Sequence, residues 1–230
     1  MLGLVPAAGR GLRFGDAEPK QFLEIAGRSA LAWSLHRLRQ GGVTRLVVAL
    51  PPGTLDESGP PHWEEASDVT WIEGGARRQD SVAKCLAAAE ADEDDLVAVH
   101  DAARAAVDPR DVARVVAAAL WSGGAVLGRP VGDTVKRIEG GRIVATVDRA
   151  ALWRAETPQV FRAGILRRAL TAAAEDGFVG TDEASLVERR GDVEIEAVTA
   201  QFPNPKLTWR GDEVWLAALL GAYEPGGATP

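Results

Sequence analysis

Five short apolar runs punctuate the chain, at Leu2–Pro6, Arg45–Leu50, Val69–Ile72, Leu96–His100 and Ala125–Gly128, separated by longer alanine- and leucine-rich stretches of helical period. A strand covered on both faces has no polar side to show, so it reads as a continuous apolar run rather than an alternation. All but Val69–Ile72 read that way. Parallel strands of this kind need crossover connections, and helices supply them while covering the two faces. The expectation is an α/β fold: a Rossmann-like, mostly parallel sheet flanked by helices, in one domain spanning residues 1–230.

Helix ends are marked. Ser29 precedes "ALAWSLHRLRQ", which stops at Gly41, and Asp108-Pro109 opens a run that stops at Gly123-Gly124. Asp80 is expected to cap the helix holding Cys85, and Asp212 to cap the final "EVWLAALLGAY". The alternation of strand and helix breaks at "VKRIEGGRIVATVDR", Val135–Arg149, where Glu139-Gly140-Gly141-Arg142 joins two β-branched stretches. That pattern predicts a projecting β-hairpin arm. An isolated two-stranded hairpin is marginal in water, so it packs either on a second copy of the chain or back onto its own domain.

Composition narrows the function classes. With 33 acidic against 26 basic residues the net charge is -7, which disfavours general nucleic-acid binding through phosphate neutralisation. No apolar run approaches the ~20 residues of a membrane span. The single cysteine, Cys85, excludes an intramolecular disulfide and suits a reducing cytoplasm; its helical context predicts a packed core thiol.

The most informative stretch is "LVPAAGRGLRFGDAEPKQF", Leu4–Phe22. Gly9 and Gly11, directly after a strand, let the backbone turn tightly and aim N–H groups at an oxyanion. A Walker A loop would continue Gly-Lys-Ser/Thr, yet Gly11 is followed by Leu12 and Arg13. A dinucleotide fingerprint needs glycine where Phe14 stands, and an acid after the second strand where Leu50 and Pro51 stand. What remains is a glycine turn followed by two cations, Arg13 and Lys20. Such a pair is costly unless an anion neutralises it, and a triphosphate losing pyrophosphate is such an anion. A non-catalytic nucleotide sensor would keep the loop without needing both cations.

Pro6-Ala7-Ala8-Gly9-x-Gly11-x-Arg13 followed by Pro19-Lys20-Gln21-Phe22 resembles the signature of nucleotidyltransferases that join a nucleoside monophosphate to a sugar phosphate. Further along, "GGARRQDSV" (74–82), "VHDAAR" (99–104), "DTVKR" (133–137), "TVDR" (146–149), "TPQVF" (157–161), "TDEASLVE" (181–188) and "NPKLT" (204–208) occur in order. Together they resemble the 2-C-methyl-D-erythritol 4-phosphate cytidylyltransferase family of the non-mevalonate isoprenoid pathway.

The resemblance implies attack of the sugar-alcohol phosphate on the α-phosphorus of CTP. Arg13 and Lys20 would neutralise charge on the phosphoryl oxygens, with Mg2+ bridging the triphosphate. It further implies that Pro6, Ala7, Ala8, Gly9 and Gly11 bind the nucleotide and that Gly75 and Ser81 read cytosine, with Arg78 supporting their loop. Asp101 would be the carboxylate near metal and ribose, Arg104 would reach the substrate phosphate, and Thr134, Arg149, Thr157 and Lys206 would contact the sugar phosphate. The family's arm crosses to a partner subunit, which implies a homodimer. His100 is expected to be a hydrogen-bonded core histidine, and Asp182 and Glu183 to serve the start of the last long helix. Pro203 stands before Asn204 where the family often has an Asp, which weakens the case for a second carboxylate near the metal. Ala76, Ala105 and Phe14 are lesser departures. The nearest alternative is a ribitol 5-phosphate cytidylyltransferase; from another class, a dinucleotide-binding oxidoreductase.

Overall fold

The computed structural model describes residues 1–9, 19–55 and 68–223. Gly11 and Arg13 therefore lie outside the described residues. The elements are, in order, β1 (Leu2–Pro6), β2 (Glu24–Ile25), β3 (Arg28–Ser29), α1 (Ala30–Gln40), β4 (Arg45–Leu50), β5 (Val69–Glu73), α2 (Arg78–Ala88), β6 (Leu96–Val99), α3 (Pro109–Ser122), β7 (Gly124–Pro130), β8 (Val135–Glu139), β9 (Arg142–Val147), β10 (Trp153–Arg162), α4 (Ala163–Glu175), α5 (Glu183–Arg190), β11 (Glu196–Thr199) and α6 (Asp212–Tyr223).

A seven-stranded sheet of order β11-β7-β10-β6-β1-β4-β5 organises them. Pairing is parallel except on the two sides of β10, which runs antiparallel to both β6 and β7. The mixed polar and apolar face of Val69–Ile72 has a simple cause: β5 is an edge strand, half-exposed along its length. The sheet separates two cores. Leu31, Leu35, Leu38, Val112, Val115 and Ala119 of α1 and α3 pack on one face, and Val82, Leu86, Leu166, Leu170, Leu186 and Val187 of α2, α4 and α5 on the other. A third cluster, with Trp33, Leu207, Leu216 and Leu220, seats α6. Cys85 is wholly buried, and desolvation pushes its thiol up to about 12.

The caps follow local chemistry, with two corrections. The Ser29 hydroxyl accepts from the Ala32 amide at 3.1 Å, Asp108 accepts from the Arg110 amide at 2.8 Å, and Gly123 closes α3 at φ 83°. Asp80, however, lies one turn inside α2: the N-cap is Arg77, and the Asp80 carboxylate reaches back to the Arg77 amide at 3.1 Å. Asp212 is likewise the first residue of α6, turned back to accept from the Thr208 and Trp209 amides. In both helices the acid serves the exposed amides from within the first turn. Asp182 does cap, but its helix, α5, is a short one of eight residues.

β8 and β9 form a separate two-stranded sheet joined at Gly140 and Gly141, both at positive φ, the geometry of a tight two-residue hairpin turn. Its Ile138, Ile143 and Val144 are exposed in the single chain. The arm thus projects rather than folding back onto its own domain.

Candidate active site

Chain order on the sheet reverses at β1: β4 and β5 extend to one side, while β6 lies on the other. In open α/β sheets ligands bind outside the carboxyl ends of the strands at such a reversal. Three segments leave the sheet there: residues 7–9 after β1, 74–77 after β5, and 100–104 after β6.

The first two segments are fastened to each other and to the sheet. The Ala7 amide bonds the Ala49 carbonyl, and the Gly74 amide bonds the Leu50 carbonyl, both at 2.8 Å. A side chain at Gly74 would run into the Ala8 methyl, so glycine is needed for the two loops to lie side by side. The Gly75 amide donates to the Ser81 hydroxyl at 3.0 Å, and Ser81 in turn donates to the Arg77 carbonyl, so the structure brings the expected cytosine-reading pair together. Two supports escaped the sequence reading. The buried Gln21 amide donates to the Ala7 and Gly9 carbonyls at 2.6 and 3.1 Å, and Lys84 donates to the Gly74 carbonyl at 2.8 Å.

Asp101 is the centre of charge. Its Oδ1 accepts from Arg78 Nε at 3.1 Å, with Arg78 Nη2 at 3.0 Å, while its Oδ2 accepts from Lys206 at 2.6 Å and lies 4.0 Å from Arg104. Burial alone would push this carboxyl up; Arg78, Lys206 and Arg104 outweigh it and hold Asp101 well below the usual carboxylate range. Behind Arg78 stands Glu183, wholly buried and bonded to the guanidinium at 2.5 Å. Desolvation pushes Glu183 up despite that pairing. Glu183 therefore holds Arg78 from behind, a role that its place at a helix start did not reveal.

Arg104 donates to the Asn204 carbonyl at 2.6 Å, and the Asn204 amide group donates to the Thr157 carbonyl at 2.8 Å. Leu207 ties the loop before α6 to the same turn: its amide bonds the Ala103 carbonyl at 2.8 Å, and its carbonyl accepts from Lys20 at 2.5 Å. Asp101, Arg104, Thr157, Lys206, Arg78 and Lys20 are thus assembled through at most one intermediary each. Thr134 and Arg149 are exposed at the base of the arm, where Arg149 donates to the Gly132 carbonyl of its own chain. Within one chain they stand outside the Asp101 network.

Among the described residues no group of three or more His, Cys, Asp or Glu side chains could hold a metal ion. Asp101 is a single carboxylate already satisfied by cations. That donor set fits an ion brought in on a triphosphate, which needs only one or two protein carboxylates, rather than a resident ion in a protein cage.

A sequence model of one family, described as 2-C-methyl-D-erythritol 4-phosphate cytidylyltransferase, matches residues 1–221. The chain belongs to this family. A family relative from Chromobacterium violaceum is 43% identical over 237 residues, covering 97% of this chain and 99% of its own. Another, from Acidobacterium capsulatum, is 39% identical over 224 residues, covering 91% and 92%. Both bear the family's enzyme name. The crystal structure of the Thermus thermophilus family member superposes with a TM-score of 0.80 at 38% identity, covering 94% of this chain and 97% of that one. The dinucleotide-binding oxidoreductase is thereby set aside.

Burial of one histidine in this cytidylyltransferase-family site makes stability depend on pH. His100 is wholly buried, and desolvation lowers its pKa to about 4 against a carboxylate neighbour that favours the charge. As pH falls from about 6.5 toward 4 the unfolded chain takes up the proton first, so stability declines across that window, by roughly 3 kcal/mol at its lower end. Glu183 acts in the opposite sense because its pKa is raised, and Asp101 acts only at lower pH. Urea titrations at pH 7, 6, 5 and 4 should therefore show a steeper acid decline for wild type than for His100→Phe; parallel declines would contradict the neutral buried imidazole.

Proposed function

We propose that this protein transfers CMP from CTP to 2-C-methyl-D-erythritol 4-phosphate, releasing pyrophosphate and forming 4-diphosphocytidyl-2-C-methyl-D-erythritol. The observation that carries the reading is the Asp101 cluster at the sheet's switch point in a chain of this family. A phosphate oxygen of the sugar alcohol attacks the α-phosphorus, and the bond to the bridging β-phosphate oxygen breaks. Such a transfer asks the protein mainly to align the two ends and neutralise charge.

The chain's own groups suit that task. The paired loops at 7–9 and 74–81 bring backbone close to a flat base, and Gly75 with Ser81 reads its edge. Arg78, Arg104, Lys206 and Lys20 converge from four different segments, so the phosphoryl oxygens meet preorganised donors. Arg13, which lies outside the described residues, is the further cation that the family resemblance assigns to this task. Asp101 keeps the cations in place before substrate arrives and, among the described residues, is the carboxylate placed to reach a metal. Asp101 is the group that would hold a Mg2+ arriving with the triphosphate, and the ion would supply neutralisation of the developing charge.

Exposed Ile138, Ile143 and Val144 support a homodimer through the arm, which would bring Thr134 and Arg149 to the sugar phosphate of the neighbouring subunit. The lone buried thiol, with no helix among the described residues able to cross a membrane, supports a cytoplasmic enzyme acting on soluble substrates.

With CTP and Mg2+, purified protein should release pyrophosphate in the presence of 2-C-methyl-D-erythritol 4-phosphate and not with ribitol 5-phosphate; the reverse preference would overturn the choice of acceptor. Lys20→Ala should reduce turnover at least ~100-fold with little change in melting temperature, the scale of losing one donor to a transition-state oxyanion. Turnover near wild type would remove Lys20 from the chemistry. In sedimentation velocity the wild type should run as a dimer and Ile138→Asp/Ile143→Asp as a monomer; an unchanged species would disconnect the arm from assembly.

A further inference from the structure

His100 is buried without exposure, yet it is not surrounded by indifferent filler. Its Nδ1 lies 3.1 Å from the Thr157 hydroxyl, and its Nε2 lies 3.2 Å from the Arg104 carbonyl. The same hydroxyl accepts from the Asp101 amide at 3.0 Å. Every group this imidazole touches therefore belongs to the site or is one bond from it. An apolar side chain would fill the space without the cost of burying a polar ring, so the hydrogen bonds are the reason to look for a role.

The directions of these bonds are forced. A carbonyl can only accept, so Nε2 carries the proton and donates to Arg104. Nδ1 is then a bare acceptor and takes the Thr157 hydroxyl proton. The hydroxyl oxygen, in turn, takes the Asp101 amide. The opposite neutral tautomer would set the Nε2 lone pair against the Arg104 oxygen, leaving both unsatisfied in a buried place. The chain of donation runs from the Asp101 amide to Thr157, to His100, to the Arg104 carbonyl. It closes on itself, because the Arg104 amide bonds the Asp101 carbonyl at 2.9 Å.

We propose that His100 is a positioning residue for the acceptor side of the reaction: through its two ring nitrogens it pins the Asp101–Arg104 turn to β10 and makes Thr157 a pure hydrogen-bond acceptor toward substrate. The inference rests on the reading of this site as one that joins CMP to a polyol phosphate. With its proton spent on His100, Thr157 has one lone pair left. A phosphate oxygen, itself an acceptor, gains nothing there, whereas a hydroxyl of the polyol can donate to it. Thr157 therefore discriminates for the hydroxylated part of the acceptor, and the grip on its phosphate falls to Arg104 and Lys206.

The test has two arms, both on the full-length protein. In 15N-resolved histidine spectra at neutral pH, without substrate, His100 should show a protonated Nε2 and a bare Nδ1; a proton on Nδ1 overturns the proposal. This arm does not depend on which substrate is correct. In steady-state kinetics with CTP and 2-C-methyl-D-erythritol 4-phosphate, His100→Phe and Thr157→Val should each lower kcat about tenfold, the worth of a buried hydrogen bond, and raise KM for the polyol phosphate. KM for CTP should stay within about twofold, because base recognition sits on the 74–81 loop. The double variant should be no worse than either single one, and Thr157→Ser should restore wild-type constants. Additive losses, or equal rises in both KM values, would overturn the proposal. Should His100→Phe fail to fold, His100→Asn, which keeps a polar group facing Thr157, takes its place and should be milder than Thr157→Val. Failure to turn over any polyol phosphate, with the tautomer as stated, would count against the proposed reaction and not against the hydrogen-bond chain.

Discussion

A single carboxylate, Asp101, draws three cations from three separate parts of the chain: Arg78 from the first turn of α2, Arg104 from the turn after β6, and Lys206 from the loop before α6. Four charges in so little space are stable only because they are paired, and removing one partner from a buried set of this kind typically costs ~3–5 kcal/mol. The arrangement has a functional side as well. Cations already held by protein would need no reorganisation on meeting an anion, which is the condition under which fixed charges stabilise a transition state best. Glu183, wholly buried, holds the same Arg78 guanidinium through a second ion pair.

Backbone bonds translate this cluster into a position for the rest of the site. Leu207 is the hinge of the arrangement: its amide fastens to Ala103 beside Asp101, its carbonyl receives Lys20, and its side chain is wholly buried with Leu216 and Leu220 of α6. Apolar packing thus fixes a main-chain segment whose polar groups orient two lysines. The hydrogen bonds of Asn204 and of His100 to Thr157 do the same on the β10 side. The paired loops after β1 and β5 form a separate lip, built where glycine lets the 74–77 segment lie against Ala8.

Much of the framework was legible from residues. The buried parallel strands β1, β4, β6 and β7 showed as apolar runs, and α1 and α3 announced their ends through Ser29, Asp108 and Gly123. The arm showed in Gly140-Gly141, which suit the positive φ of a tight turn. β10 was not legible as a strand. Its Glu156, Thr157, Pro158 and Gln159 make a run that looks like a loop, because the polar members are buried against hydrogen-bond partners from other segments rather than placed by alternation. Asp80 and Asp212 were read as caps but lie inside their helices, at the third and the first helical position, because a carboxylate in the first turn can reach back to amides that precede it.

The sequence by itself determined the class of fold and the hairpin, because hydrophobic period and turn residues are properties of the linear chain, while its ordered motifs implied by resemblance that Asp101, Arg104, Lys20 and Lys206 share one site. Only the tertiary structure decided which of these groups neutralise one another, that Glu183 backs Arg78, and that His100 and Thr157 share a hydrogen bond. Those relations depend on side chains from positions as far apart as Arg78 and Glu183, or His100 and Thr157, meeting at bonding distance. No local pattern encodes such a meeting; it follows from packing helices on both faces of a sheet whose strand order reverses at β1.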